Sequence, residues 1–297
     1  MVDDTGYPKK GNKSMGVQHE YSGTLGKVDN CQIGVFLAHI SSKGKALVDG
    51  ELYLPRQWTA DRKRRKEARI PADVKFRTRP QIASEMIKAA VGGPVNARWV
   101  TCDDNYGRSE DFRDEMAALG LLYVCEVPCL SKVWTSRPAL AAQQDGEQTR
   151  AMKLAPGTPR PLRVSKVAQQ QSTWRSLTVR TGTKKPIRSD WAALRVYPRS
   201  KRGCAAEGWL LIERLQDGTH KYYLSNAPAQ RPLRELAYVA KQEWFVEQCF
   251  RDTKQHVGLG DYEVRKWRAW YHHMTMCLLA YLFLELLHIK WKKKAFH

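Results

Sequence analysis

Along this 297-residue chain the spacing of apolar residues changes several times, and each change marks an element. The opening VDDTG is strand-like and leads into a basic KKGNK turn (Lys9 to Lys13), then into turns at Gly23 and Gly26. From Cys31 to Ser41 the run CQIGVFLAHIS is nearly continuously apolar, and after an SSKGK turn ALVDGELYLP (Ala46 to Pro55) alternates at period two. These read as antiparallel strands near the N-terminus. The cluster DRKRRKEAR (Asp61 to Arg69) carries no such pattern and reads as a solvated loop or a phosphate contact.

From Arg79 the period lengthens. Pro80 followed by QIASEMIKAAV predicts a helix with proline at its start and Gly92-Gly93 at its end. ARWVTC then forms a short strand ending in Asp103 and Asp104. SEDFRDEMAALG predicts a helix capped by Ser109 and closed by Gly120, and LLYVCEVPC (Leu121 to Cys129) returns to strand. Such β–α–β alternation implies a mixed sheet with helices packed on it, an α/β fold. Residues 131 to 230 differ: a loop-like stretch from Ala141 to Pro161 precedes strand-like pieces RSLTVRTG, AALRVYP, WLLIERL and KYYLSNAP. The segment reads as a β-rich insertion, dividing the chain into 1–130, 131–230 and 231–297. Helical spacing resumes from Leu233 to Gly258, and a last helix is predicted from about Trp267 to Trp291.

Composition changes the picture in one respect. With 42% hydrophobic and 27% charged residues the chain is ordinary for a globular protein, but 50 Lys and Arg against 30 Asp and Glu leave a formal +20. That surplus favours a polyanionic partner, with a ribosome-associated or membrane-surface protein as the alternatives. The seven cysteines are scattered without paired CxxC units, which argues against structural zinc and for reduced, buried thiols. The opening MVDDTGYPKKG contains no apolar core of the signal-peptide kind. The apolar run from Met274 to Ile289 is short for a bilayer and carries Glu285 and His288, so it is expected to be a buried helix and no membrane partner is expected.

Acids at element ends supply the candidate chemistry. Asp3 or Asp4 lies in the first strand, Asp103 or Asp104 ends another, and Glu247 lies on the helix after the insertion. Two divalent ions held by carboxylates on separate elements are suited to an in-line displacement at phosphorus. On the helix, Glu247, Arg251 and Lys254 share a face at i, i+4, i+7, while Val246, Phe250, Thr253 and Val257 form the apolar stripe beside it. A plain surface Glu–Arg pair accounts equally well for the first two.

In order, VDDTGYPKKG (Val2 to Gly11), WVTCDDNYGRS (Trp99 to Ser109), EGWLLIERL with KYYLSNAP (Glu207 to Pro228) and WFVEQCFRDTKQHVGLGDYEVRKW (Trp244 to Trp267) resemble the DDE transposases of bacterial insertion sequences. The likeness is to the branch whose ribonuclease-H-like core, a mixed sheet flanked by helices, is interrupted by a β-rich insertion. Asp3 and Thr5 meet its D-x-T pattern, and Glu247 and Lys254 its E-x6-K spacing. In two respects the chain departs from the family. Glu243 stands where an arginine is usual, with Lys241 or Arg251 placed to supply the charge. The first aspartate is residue 3, which gives the expectation of an N-terminally truncated protein lacking a DNA-binding region.

The resemblance implies a transposase that cuts DNA and joins its ends, with Asp3, Asp103 and Glu247 holding two Mg²⁺ ions, Mn²⁺ substituting. It implies double-stranded DNA as partner, both terminal inverted repeats and target, and a homodimer or larger assembly in the bacterial cytoplasm at the nucleoid. Lys254, Arg251, Tyr238 and Arg265 become candidate phosphate contacts. Trp174, Trp191 and Trp209 become candidates to stack on a flipped base, Trp174 being the one put forward. Lys290 to Lys294 reads as a solvated tail. The alternative is an inactive remnant that only binds DNA.

Overall fold

A computed structural model of the protein describes residues 1–22, 26–139, 154–181, 186–201 and 203–295. Gly23 and most of the expected loop from Ala141 to Pro161 lie outside the described residues. The chain divides into two compact units, 1–97 with 243–297, and 98–242. This division does not coincide with expected boundaries at 130 and 230.

The first unit opens with strands β1 (Val2–Pro8), β2 (Gln18–Ser22), β3 (Lys27–Ser41) and β4 (Gly44–Leu52), all antiparallel, with β3 central. Helices α1 (Arg56–Ala60), α2 (Arg62–Ala68) and α3 (Arg79–Gly92) follow. Residues 31 to 38 of β3 are all buried, because both faces of the strand are covered. Val35 pairs with Asp4 and shares the face on which Arg79 of α3 binds Asp4, whereas Phe36 pairs with Asp3 and takes the opposite face. α3 starts as predicted, with a capping box between Thr78 and Gln81 and proline in its first turn.

α2 corrects the sequence reading of Asp61 to Arg69 as a loop. Asp61 caps it by accepting from the Arg64 N–H, and Arg69 ends it in the left-handed region at φ 54°, its N–H returning to the carbonyls of Arg65 and Lys66. A helix of strong formers with both ends satisfied needs no apolar stripe to be read from sequence.

The second unit holds β5 (Trp99–Cys102), α4 (Asp104–Gly107), α5 (Glu110–Ala118), β6 (Leu122–Glu126), β7 (Lys132–Trp134), β8 (Leu162–Arg163) and α6 (Val164–Gln169). It continues with β9 (Arg175–Thr181), β10 (Pro186–Ser200), β11 (Gly203–Cys204), β12 (Gly208–Arg214), β13 (His220–Ser225) and α7 (Leu233–Ala240). β5 and β6 pair in parallel across the predicted β–α–β step, and β6 pairs antiparallel with β13. The sheet is therefore mixed and flanked by helices, as expected. Because β6 and β13 share a ladder, the strands of the insertion and those before it form one nine-stranded sheet. Its core includes the fully buried Trp191 stacked on Tyr223 at 5.7 Å.

Helical residues from Leu233 to Gly258 do not form a single helix. α7 stops at Ala240 and α8 (Glu243–His256) begins after it. Lys241 at the break reaches Oε2 of Glu213 at 3.1 Å, and Glu213 is only 1% exposed, also accepting from Ser189 and Tyr223. A buried carboxylate needs such partners. The last helix, α9 (Trp267–Ala295), includes the backbone of Lys290 to Lys294, which is thus no separate tail.

α9 is also less buried than predicted. Trp270, Met274, Cys277 and Tyr281 form one buried stripe, while Met276, Leu279, Phe283 and Leu286 stay more than half exposed. The helix is long and apolar enough to cross a membrane by length and composition, with 17% of its most apolar stretch buried. The cysteines are free; Cys31, Cys102, Cys125, Cys249 and Cys277 are buried as expected, whereas Cys129 is exposed.

Phe36 fixes how closely a helix approaches this sheet. A Cβ at Gly50 would lie 2.6 Å from its ring, and one at Gly34 the same distance from the other side. The two glycines leave room for the ring, and Phe250 of α8 packs edge-on against it at 5.6 Å. Gly50→Ala should therefore destabilise the protein by about 1–3 kcal/mol through overpacking, read as a lowered urea midpoint. Phe36→Leu in that background should recover part of the loss, with a coupling of at least about 0.5 kcal/mol; strictly additive effects would contradict the packing described.

Candidate active site

Asp3, Thr5 and Tyr7 alternate onto one face of β1. α8 lies along that face. Phe250 packs on Phe36, the register partner of Asp3, and Nζ of Lys254 donates to Oγ1 of Thr5 at 2.8 Å. Helix and strand therefore advance in the same direction. From Lys254 back to Glu247 is about 10 Å along the helix, and from Thr5 back to Asp3 about 7 Å along the strand. Glu247 consequently lies toward the Asp3 end of β1 rather than the Tyr7 end. It is exposed, as is Arg251, while Val246, Phe250 and Thr253 are buried as the helical spacing predicts.

Alternation also separates Asp3 from Asp4. Asp4 faces α3 and is bound by Arg79 at 3.3 Å, with Glu20 on the same guanidinium. Asp3 is half-buried, and its Oδ1 accepts from the Asp4 N–H at 2.7 Å. An ion-paired Asp4 is a structural residue. The D-x-T spacing was the signal that separates the two, since it puts Asp3 and Thr5 on one face.

Asp103 belongs to the second unit and caps α4. Its Oδ1 accepts from the N–H groups of Asn105 and Tyr106 at 3.0 and 3.4 Å, and its Oδ2 from the Asn105 amide at 2.9 Å. Asp104 instead pairs with Arg108 at 3.2 Å. This turn is seated on β6 at Gly107, where a Cβ would come within 1.8 Å of the Glu126 carbonyl oxygen. Only glycine fits there. Ser109 caps α5 as predicted, accepting from the Phe112 N–H.

The remaining candidates fall in different settings. Arg251 is exposed and 3.8 Å from Asp252. Arg265 is exposed in the first unit, and Tyr238 of α7 is 57% exposed in the second. Trp191 is wholly buried, which removes it as a stacking platform. Trp174 and Trp209 are half-buried, each with a guanidinium over its ring, Arg214 at 4.5 Å and Arg195 at 4.9 Å.

Lys9 was not singled out from the sequence. Its ammonium lies 3.7 Å from the centre of the Tyr262 ring and donates to the Tyr262 carbonyl. Burial pushes the Lys9 and Lys254 pKa values below that of an ordinary lysine, while Glu263 partly offsets the effect at Lys9.

Carboxylates are hard oxygen donors, so the chemistry of Asp3, Asp103 and Glu247 suits a divalent cation such as Mg²⁺. Each carboxylate offers about four lone-pair sites, so accepting a hydrogen bond does not in itself prevent a carboxylate from ligating a cation. Among the described residues no group of three or more His, Cys, Asp or Glu stands assembled for a metal. Asp3 and Glu247 belong to one compact unit and Asp103 to the other.

Residues 1–186 match the family described as DDE superfamily endonuclease, and the chain belongs to that family. The matched stretch contains Asp3 and Asp103 and ends before Glu247. Over 128 residues the chain is 30% identical to a probable transposase for insertion sequence element IS701 of Microchaete diplosiphon. That match takes in 43% of this chain and 31% of the relative, so the chain spans about a third of the relative's length. Among solved structures, a piggyBac transposase synaptic complex with hairpin DNA aligns at a TM-score of 0.46 and 11% identity, covering 99% of this chain and 48% of that one.

The setting of Lys254 is measurable. In lysine-labelled protein its ammonium should titrate below the ordinary lysine value, and stability should rise with pH between the two, because the unfolded chain holds that proton more tightly. An Nζ resonance that titrates with the surface lysines, assigned through Lys254→Met, would place the side chain in bulk water and undo the contact with Thr5.

Proposed function

We propose that this chain is a transposase that performs metal-dependent DNA strand cleavage and strand transfer. Asp3, Asp103 and Glu247 are the carboxylates that would hold the metal. The observation carrying this reading is the alignment of α8 on β1, where the Lys254–Thr5 contact sets Glu247 toward the Asp3 end of the strand. Membership of the DDE endonuclease family supports it, as does the transposase relative. Two Mg²⁺ ions, or Mn²⁺ in their place, would supply a Lewis acid and an activated water for displacement at phosphorus.

The chain's own residues bind and orient. Arg251 and Lys254 continue the Glu247 face with positive charge, suited to a scissile strand's phosphates. Tyr238 and Arg265 are read as further DNA contacts, and Trp174 as the base-stacking ring. The substrates would be the terminal inverted repeats and target DNA, engaged by a homodimer or larger assembly at the nucleoid. Residues 131–230 are read as an insertion within the catalytic core.

A second reading is an inactive remnant that only binds DNA, for which the formal charge of +20 suffices without any chemistry at the acids. Nicking of supercoiled plasmid in Mg²⁺ separates the two. Asp103→Asn keeps an oxygen acceptor for the α4 cap while removing the anionic ligand, and Glu247→Gln changes an exposed side chain, so both variants should fold. We expect Mg²⁺-dependent nicking by the wild type and its loss in both variants. Binding without nicking by the wild type would establish the remnant.

A further inference from the structure

We propose that a basic cleft formed by the turn after β1, helix α2 and the segment preceding α9 seats the phosphate backbone of duplex DNA. This extends the reading of the chain as a DNA-acting protein to a surface not made by its acids. The cleft has a volume of about 440 Å³, and Lys13, Lys63, Arg64, Arg265 and Lys266 line it with Glu67 as the sole acid. Of the cations, Arg265 was named as a DNA contact from the sequence, and Lys63 and Arg64 fell within the basic cluster read as a solvated loop or a phosphate contact.

Three features fit a phosphodiester chain rather than a chance crowding of charge. First, Arg64 is already fixed. Its guanidinium lies 3.7 Å from the centre of the Trp58 ring and donates to the Asn12 carbonyl at 3.1 Å. Trp58 is itself held by the bond from Nε1 to the Val17 carbonyl at 2.9 Å, so the platform is rigid. A guanidinium ordered before binding loses less freedom when it meets a phosphate.

Second, the charge is uncompensated where it lines the cleft. Glu67 stands 3.7 Å from Lys13, an exposed pair of little strength. None of the ion pairs among the described residues engages Lys63, Arg265 or Lys266, all of which are exposed. Third, the helix divides its basic residues by use. Arg65 donates to the carbonyls of Thr59, Pro71 and Ala72, and so ties α2 to its flanks. Lys63 and Arg64 instead line the cleft. A concave surface carrying several exposed cations around one fixed guanidinium suits successive phosphates of a strand, and neutralising them releases counterions.

The test is fluorescence anisotropy of the full chain with a labelled 30-bp duplex, in EDTA so that no cleavage enters, across a salt series. A triple variant, Lys63→Gln with Arg265→Gln and Lys266→Gln, is compared with Lys43→Gln, Lys75→Gln and Lys88→Gln, three exposed lysines elsewhere in the same unit. Both triples change net charge equally. The cleft triple should reduce the slope of log K against log[salt] by about two to three, so that a fourfold rise in salt weakens wild-type binding about 40-fold more than it weakens the variant. The control triple should leave the slope near that of the wild type.

Equal slopes for the two triples, or no change in either, would overturn the cleft while leaving DNA binding intact. A flat salt response in the wild type would overturn the cleft and the DNA reading together. Arg265→Glu alone, which does not touch α2, repeats the test if the triple is poorly folded, and it too should lower the slope.

Discussion

Everything about the acid-bearing helix depends on one aromatic contact. Phe250 can sit edge-on against Phe36 only because positions 34 and 50 carry no side chain beneath and beside that ring. With a methyl group at either position the ring would have to rise, and α8 would rise with it. The contact also fixes direction. Phe36 is paired with Asp3, and one turn further on Lys254 meets Thr5, so two rows of the β1–β3 ladder are matched to two turns of the helix. A slip of one residue in β1 would move Asp3 and Thr5 to the α3 face. The glycines, the phenylalanine pair and the strand register therefore form one geometric device.

The same residues illustrate how a carboxylate can have a structural role and retain a chemical one. Asp103 holds three hydrogen bonds of the α4 turn, a role that any N-cap aspartate performs, and Gly107 pins that turn to β6. These bonds fix the orientation of the carboxylate, which is what a metal ligand requires of its surroundings. Asp4 shows the contrary case. Its carboxylate meets Arg79, and that guanidinium also serves Glu20, so the charge is spent on joining β1 to α3. Two adjacent aspartates thus acquire different fates from strand alternation alone.

Alternation and helical spacing were legible in the sequence because they are local. D-x-T put Asp3 with Thr5, the i, i+4, i+7 pattern put Glu247 with Arg251 and Lys254, and Ser109 and Pro80 marked helix starts. What was not legible came from distant partners. AYVAKQEW has no breaker, and the interruption coincides with Lys241 reaching Glu213, 28 residues earlier. Nothing in the sequence of α2 required an apolar stripe, since Asp61 and Arg69 satisfy its ends. α9 was expected to be buried from its composition, but composition cannot say how much of a helix's circumference the rest of the chain covers. The buried stripe at 270, 274, 277 and 281 accounts for one side only.

The count of 50 Lys and Arg overstates the cations available to a partner. Arg65 serves three carbonyls, Arg77 holds Glu51 and Glu85, Arg79 holds Asp4 and Glu20, Lys45 holds Asp252, and Lys241 holds Glu213. Those cations stabilise the fold, and a phosphate could recruit them only by breaking bonds the fold uses. Lys254 is different again, since its ammonium is half-buried and already donates to Thr5, so only a phosphate brought to that end of the Glu247 face would meet it. Net charge alone therefore cannot locate a nucleic-acid surface. The discriminating property is a cation that is exposed, not engaged by an ion pair, and close to others of its kind, and α2 shows that neighbours on one short helix can differ in it completely.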